Sequence, residues 1–386
     1  MAGESSTQGL ATVEQLCEDR ASRVRQLKEE GKKIIGYFCC YPPVELFTAL
    51  DLVPYRITGN VKKPISQADA YIEPIACSFV RSCVEMAIKG EYDFLDGLVM
   101  PECCDNITAA YNILTYNLKV PYSHYIMVPH MLRHTSFEFF NEELASFKKS
   151  IEAFSGKEAS DQDLIEAIRV HNENRALARE LYQLRKQDPP LISGVEVIKT
   201  TVAAMSLPVI EANQLFRNVI DEIRERPVSA RDKKARILLY GAEIDDPMFI
   251  DIIEGSGAYV VMDDLCVGSR CYWHDVEMTG DPVNDLSTRY LEKLTCPRTF
   301  REREGTRQED LDNRFGYLLE FAKEFNVDGV IFYLFRNCDT FAFDAPDVRD
   351  YLQQAGLPVL HLEDEYNMSG IARLKIRVQA FVEMIA

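Results

Sequence analysis

Residues Asn326-Val-Asp-Gly-Val-Ile-Phe-Tyr-Leu-Phe-Arg-Asn-Cys-Asp339 read as one buried strand and the turn that ends it. Asp328-Gly329 opens the run, Gly329 to Phe335 carries no charge, and Cys338-Asp339 follows the strand's carboxyl end. An unbroken apolar run of this length suits a strand covered on both faces, as in a parallel sheet. The same order of signals occurs in Asp93-Phe-Leu-Asp-Gly-Leu-Val-Met-Pro-Glu-Cys-Cys-Asp105. Each copy is followed by a helix-sized stretch and then a strand opened by proline, at Val120-Pro121 and Leu357-Pro358. Composition alone makes α/β units look alike. The matched Cys-Asp pairs go further and indicate a duplicated domain.

Other strands lie around these two. Lys33–Phe38 ends at Cys39-Cys40, and Leu52–Ile57 carries Pro54, which suits an edge strand. Val120–Val128, Ala235–Tyr240, Ala258–Met262 and Leu357–Leu362 complete the set. Helical patterns separate them over 13–30, 43–50, 77–89 (closed by Gly90) and 369–384. Between the halves the period changes. Leu144, Phe147, Ile151 and Phe154, then Ile165, Ile168, Leu177, Leu181 and Leu184, fall at helical spacing. Ser160 with Asp163 gives an N-cap signal, Pro189-Pro190 stops that helix, and a further helix is predicted over 195–226. The predicted fold class is α/β, with two parallel-sheet domains facing each other and a helical connection. The expected boundaries are 1–135, 136–230 and 231–386.

A chain of 386 residues, 47% hydrophobic and 27% charged, has material for about two to three domains. Its 61 acids against 43 bases give a net charge of −18 with no basic block, which excludes a nucleic-acid binder. The apolar runs are strand-sized, short of the ~20 residues that span a bilayer. The opening MAGESSTQGL has no export pattern, so a cytoplasmic protein is expected, with its eleven cysteines reduced.

Ligands of open parallel sheets bind beyond the carboxyl ends of the strands. Cys39-Cys40, Cys103-Cys104 and Cys338 occupy such ends, and Cys77 opens a helix, where the dipole favours a thiolate. Two facing domains would bring Cys77 and one of Cys103 and Cys104 toward Cys338, making a three-thiolate site across the cleft. Soft sulfur donors favour zinc or iron–sulfur clusters. The chain has neither C-x-x-C nor a ferredoxin-type run. Taken singly, each cysteine reads as a small buried hydrophobe; their shared place at strand ends sets them apart. There is no P-loop, and Gly255-Ser-Gly257 reads as a turn. His130 and His134, beside Pro129, do not read as a metal pair, and Arg56, Lys62 and Lys63 read as solvated surface rather than phosphate contacts.

Four pieces, in order, resemble the 2-hydroxyacyl-CoA dehydratase and benzoyl-CoA reductase superfamily. They are Lys33-Ile-Ile-Gly-Tyr-Phe-Cys-Cys-Tyr-Pro-Pro-Val-Glu-Leu46, Cys77-Ser-Phe-Val-Arg-Ser82, Asp96-Gly97 through Cys104-Asp105, and Asn337-Cys-Asp339. Within it, the likeness runs nearest to the smaller of the cluster-bearing subunits of the ATP-dependent benzoyl-CoA reductases. The resemblance implies two Rossmann-like domains and a 4Fe–4S iron–sulfur cluster held by Cys77, Cys104 and Cys338. It also implies a second cluster-bearing subunit and ATP-hydrolysing activator subunits, with ferredoxin as the upstream donor. The implied activity is reduction of the ring of an aromatic CoA thioester, benzoyl-CoA, to a cyclohexadiene. One alternative is a 2-hydroxyacyl-CoA dehydratase subunit working through a ketyl radical. Another is a double-cubane electron-transfer or reductase protein. The chain departs from a three-cysteine pattern at Cys39, Cys40, Cys83, Cys103, Cys266 and Cys271. A double-cubane cluster needs more thiolates than three, and Cys39 or Cys40, Cys103, and Cys266 or Cys271 are the candidates. Cys17 and Cys296 are expected to be bystanders.

Overall fold

A computed structural model describes residues 8–227, 232–301 and 305–386. Its first sheet holds β1 (Ile34–Tyr37), β2 (Val53–Arg56), β3 (Gly97–Pro101) and β4 (Tyr122–Ile126), all parallel, in the order β2-β1-β3-β4. The second holds β5 (Ala235–Gly241), β6 (Ala258–Asp264), β7 (Gly329–Phe335) and β8 (Val359–Asp364), also parallel, in the order β6-β5-β7-β8. The two orders are the same topology written twice. The predicted α/β class with two parallel sheets is the observed one.

The Asp-Gly pair that opens β3 and β7 has one physical role in both sheets. The Asp96 N–H donates to the Ile34 carbonyl at 2.8 Å, and the Ile34 N–H donates back to Asp96 Oδ2 at 2.9 Å. Asp328 and Arg236 repeat the exchange at 2.8 Å in each direction. Each aspartate thereby latches its strand to the neighbouring central strand. A Cβ at Gly97 would come within 2.8 Å of Ile35 Cδ1, and one at Gly329 within 2.8 Å of Ile385 Cδ1. A side chain after the aspartate would have to displace that isoleucine methyl in each sheet. Pro54 lies in β2, at a sheet edge, where a missing N–H costs no ladder bond.

Helices follow the strands. The amino-terminal set is α1 (Gly9–Glu18), α2 (Ser22–Glu29), α3 (Val44–Ala49), α4 (Ser78–Ile88) and α5 (Asp105–Leu118). Between the sheets run α6 (His134–Ser155), α7 (Asp161–Gln183), α8 (Gly194–Ala204) and α9 (Val209–Glu225). The rest are α10 (Met248–Gly255), α11 (Ser269–Tyr272), α12 (Pro282–Thr288), α13 (Arg307–Glu324), α14 (Asp339–Gln354) and α15 (Ile371–Ile385). Ser160 caps α7 in a reciprocal box with Asp163, accepting its N–H at 3.2 Å and donating its own N–H to Asp163 Oδ2 at 2.9 Å. The single helix predicted over 195–226 is two, α8 and α9. Pro208, with no N–H to offer, stands between them. The helix predicted over 13–30 likewise divides into α1 and α2, and α1 packs on α8 and α9. Among the described residues no helix is long and apolar enough to cross a membrane.

The carboxyl ends of the two sheets meet in a buried seam. Arg56, read from sequence as solvated, is 1% exposed and bonds Glu243 through Nη2 at 2.7 and 2.9 Å. Its charge faces the second half of the chain rather than water. Tyr41 Oη and Thr299 Oγ1 meet at 2.7 Å, and the rings of Phe79 and Phe335 stack at 6.5 Å.

Candidate functional site

Cys77, Cys104 and Cys338 hold the same local position, each the N-cap of a helix: α4, α5 and α14. Each therefore stands where the first N–H groups of a helix are unpaired and its dipole is positive. The Cys77 thiol is pushed up by burial and eased back by the N–H groups of Val80 and Phe79. Burial pushes Cys104 up to about 11, against the N–H groups of Ile107 and Asn106. Cys338 is driven well above the usual thiol range by burial first, then by Cys77 and Cys104 as like-charged neighbours. The three thiols of the predicted trio thus feel one another across the seam. Asn106 ties two of the helix starts together, its Oδ1 accepting the Cys77 N–H at 3.1 Å.

A second group of thiols lies deeper. Cys39 and Cys40 follow β1, Cys103 follows β3, and Cys266 and Cys271 follow β6. Cys271 Sγ donates to the Cys266 carbonyl at 3.1 Å, and Cys39 with Cys103, and Cys40 with Cys266 and Cys271, shift one another's ionisation as close neighbours. Cys39 has φ 62°, a left-handed backbone uncommon for a residue with a side chain. Cys266 is a more distant charge neighbour of Cys338 than Cys77 and Cys104 are. Cys296, expected from sequence to be a bystander, neighbours Cys266 and is buried. Cys17, on α1, is elsewhere: its thiol donates to the Lys199 carbonyl. Cys83 is buried within α4.

Buried guanidinium groups surround the deeper thiols. Arg270 Nη1 donates to Cys266 Sγ at 3.0 Å. Arg56 donates to the Cys39 carbonyl, and Arg289 to the Cys271 carbonyl at 2.6 Å. The Cys271 thiol is held below the usual range by its bond from Cys40, then by Arg56 and Arg289, against burial. A cavity of about 80 Å³ touches Cys39, Cys40 and Cys271 and is walled by His171, Arg175 and Tyr290. A larger one of about 830 Å³, lined by Cys17, Arg20 and Asp245, reaches none of the other cysteines.

Among the described residues no three His, Cys, Asp or Glu side chains stand close enough to share one metal ion. Sulfurs on a single ion, with bonds of about 2.3 Å, crowd within about 4 Å of each other. Thiolates on a cubane each take a different iron and stand wider. The donor set is all sulfur at helix N-termini, with Cys77 buried and Cys104 and Cys338 half-buried, which suits a cluster better than a lone ion. His134 meets Glu138 at 3.6 Å, and His130 faces Glu102 at 4.0 Å.

Residues 39–385 match the family described as 2-hydroxyglutaryl-CoA dehydratase, D-component. A subunit of the benzoyl-CoA reductase of Thauera aromatica is 27% identical over 384 residues, covering 97% of each chain. The (R)-phenyllactyl-CoA dehydratase beta subunit of Clostridium sporogenes is 24% identical over 94% of each chain. The (R)-2-hydroxyglutaryl-CoA dehydratase beta subunit of Acidaminococcus fermentans is 22% identical over 93% of this chain and 94% of that one. The match runs from the vicinal cysteines after β1 to the last helix, and on it the chain belongs to the 2-hydroxyglutaryl-CoA dehydratase D-component family.

Proposed function

We propose that the chain is an iron–sulfur subunit of an oxidoreductase acting on CoA thioesters, with Cys77, Cys104 and Cys338 as cluster ligands. The observation that carries this reading is the three thiols capping three helices at one seam. When bound, a 4Fe–4S cluster would supply single low-potential electrons. The chain's own part is to present three thiols with backbone N–H groups aimed at them and to keep water out with the paired sheets. Residues 1–135 and 231–386 would be the two holding domains, with 136–230 as their connection. The likeness to a benzoyl-CoA reductase subunit supports ring reduction of an aromatic CoA thioester. Dehydration of a 2-hydroxyacyl-CoA is the alternative chemistry, on the likeness to dehydratase subunits. Either reaction would run with a second cluster-bearing subunit and an ATP-hydrolysing activator fed by ferredoxin, in the reducing cytoplasm. The charge of −18 favours a basic docking face on the electron donor.

A second reading is favoured by one observation, the deeper thiol group beside the first. Cys39, Cys40, Cys103, Cys266 and Cys271 supply the additional donors that a double-cubane cluster needs, which would make the chain an electron-transfer or small-molecule-reducing protein. Anaerobic purification with and without partner subunits tests both. About four irons per chain and turnover with benzoyl-CoA or a 2-hydroxyacyl-CoA fit the first reading; about eight irons fit the second. Cys338→Ala is expected to lose broad visible absorption and activity while staying soluble. Full iron retention in that variant removes the three-ligand assignment.

A further inference from the structure

We propose that Arg270 is a positioning residue that sets the reduction potential of a cluster held at the deeper thiols, through the hydrogen bond from its Nη1 to Cys266 Sγ. This rests on the second reading above. The side chain of Arg270 is 0% exposed and is held in place from several sides. Its Nη2 bonds the carbonyls of Gly241 at 3.1 Å and Asp264 at 2.9 Å, and pairs with Asp264 Oδ2 at 3.0 Å. Tyr317 Oη in turn donates to Asp264 Oδ2 at 2.7 Å, and the guanidinium lies 5.0 Å from the centre of the Phe341 ring. Arg270 Nε is buried with no acceptor among the described residues.

The other arginines near these thiols are differently engaged. Arg56 and Arg289 reach backbone carbonyls of Cys39 and Cys271, and Arg298 reaches those of Val128 and Pro129. Among the described residues, Arg270 is the arginine that donates to a cysteine sulfur. A donor on a ligand sulfur favours the more electron-rich state of a cluster, because the added negative charge strengthens the bond. Burial raises that effect by removing competing water. The guanidinium cannot lose its proton, so the donor is permanent. Were Arg270 only a clasp between the Gly241 turn and Asp264, its removal would loosen the fold and leave the potential where it was.

The test is a dye-mediated redox titration followed by electron paramagnetic resonance on the anaerobically purified chain, with iron and sulfide counted on each sample. Arg270→Gln and Arg270→Lys are compared with the unaltered protein. At the midpoint of the unaltered protein, Arg270→Gln is expected to lower the ratio of reduced to oxidised cluster at least tenfold. For a one-electron couple that is a shift of about 59 mV to lower potential. Arg270→Lys keeps the charge without the planar fork and is expected to shift in the same direction by less. If Arg270→Gln does not fold or loses its iron, the lysine variant decides, and an unchanged midpoint there overturns the proposal. An unchanged midpoint in Arg270→Gln with full iron overturns it too, while leaving the cluster reading intact. If Cys266→Ala retains all the iron of the unaltered protein, the deeper thiols hold no cluster and the reading beneath the proposal fails first.

Discussion

Asp245 accepts a 2.7 Å hydrogen bond from Tyr366 Oη, joining the turn after β5 to the turn after β8. The same carboxyl takes the Gly59 N–H at 3.1 Å, and the Tyr366 N–H donates to Ser78 Oγ at 2.8 Å. Ser78 follows Cys77, so this pair braces the helix start that carries the first candidate ligand. Burial, then the Glu243 charge, pushes the Asp245 carboxyl up to about 7, with the Tyr366 bond pulling the other way. An unfolded aspartate titrates near 3.9, so the folded chain holds an extra proton between about pH 4 and 7. Asp245 therefore favours the folded state most at acid pH, and that contribution is lost as pH rises toward 7 and is flat above it. Metal-free Asp245→Asn is expected to lose that part of the slope, up to about 1.4 kcal/mol per pH unit. Urea denaturation at pH 5, 6 and 7.5 checks it; parallel profiles for both proteins would dismiss the assignment.

Gly59 leaves no room beside that tyrosine. A Cβ there would stand 2.5 Å from Tyr366 Cε1, and the ring is already wedged edge-on against Phe79 at 5.4 Å and Phe335 at 5.2 Å. Gly59→Ala is expected to displace the ring and cost about 1–3 kcal/mol, the range for overpacked cores. Pairing it with Tyr366→Leu, which frees the space, is expected to cost less than the sum of the two single changes.

The Arg56–Glu243 pair spans the seam with both partners buried. Removing one member of such a pair strands a charge, at about 3–5 kcal/mol. Glu243→Ala is expected to fall in that range. Arg56→Met with Glu243→Leu together is expected to recover part of it, since no buried charge is then left unpaired, though the Cys39 carbonyl still loses the Arg56 donor. A double-mutant cycle on the denaturation midpoints measures the coupling.

Much of this architecture is legible in the chain. The apolar runs at β1, β3, β5 and β7 announce central strands because a strand covered on both faces has no reason to alternate, and Asp-Gly marks where two of them begin. The helical middle is legible from its 3.6-residue period, but its division at Pro208 is not, because Leu207 and Val209 continue the apolar pattern across the break. The strand-end cysteines are legible as a class. Their division into a trio and a further set comes from the family resemblance rather than from the residues alone, because which thiols stand near one another depends on how the halves face. Arg56 misleads for the same reason: beside Lys62-Lys63 it looks solvated, and only the fold shows its carboxylate partner 187 positions away.

The duplicated latch offers the most direct test of the repeat. Asp328→Ala strands the Arg236 N–H and Asp96→Ala strands the Ile34 N–H, each inside a central strand. A buried donor left without its acceptor costs about 1–3 kcal/mol, so the two changes are expected to be similarly destabilising. The asparagine variants keep an acceptor oxygen at the same place and are expected to lose less than half as much. The two latches share no partner and lie in separate sheets, so their costs are expected to add within about 0.5 kcal/mol. Guanidinium denaturation of the two single variants and the double variant supplies all three numbers. A double variant much more stable than the sum would mean that the halves relieve each other's strain, and that the latches are not two copies of one independent device.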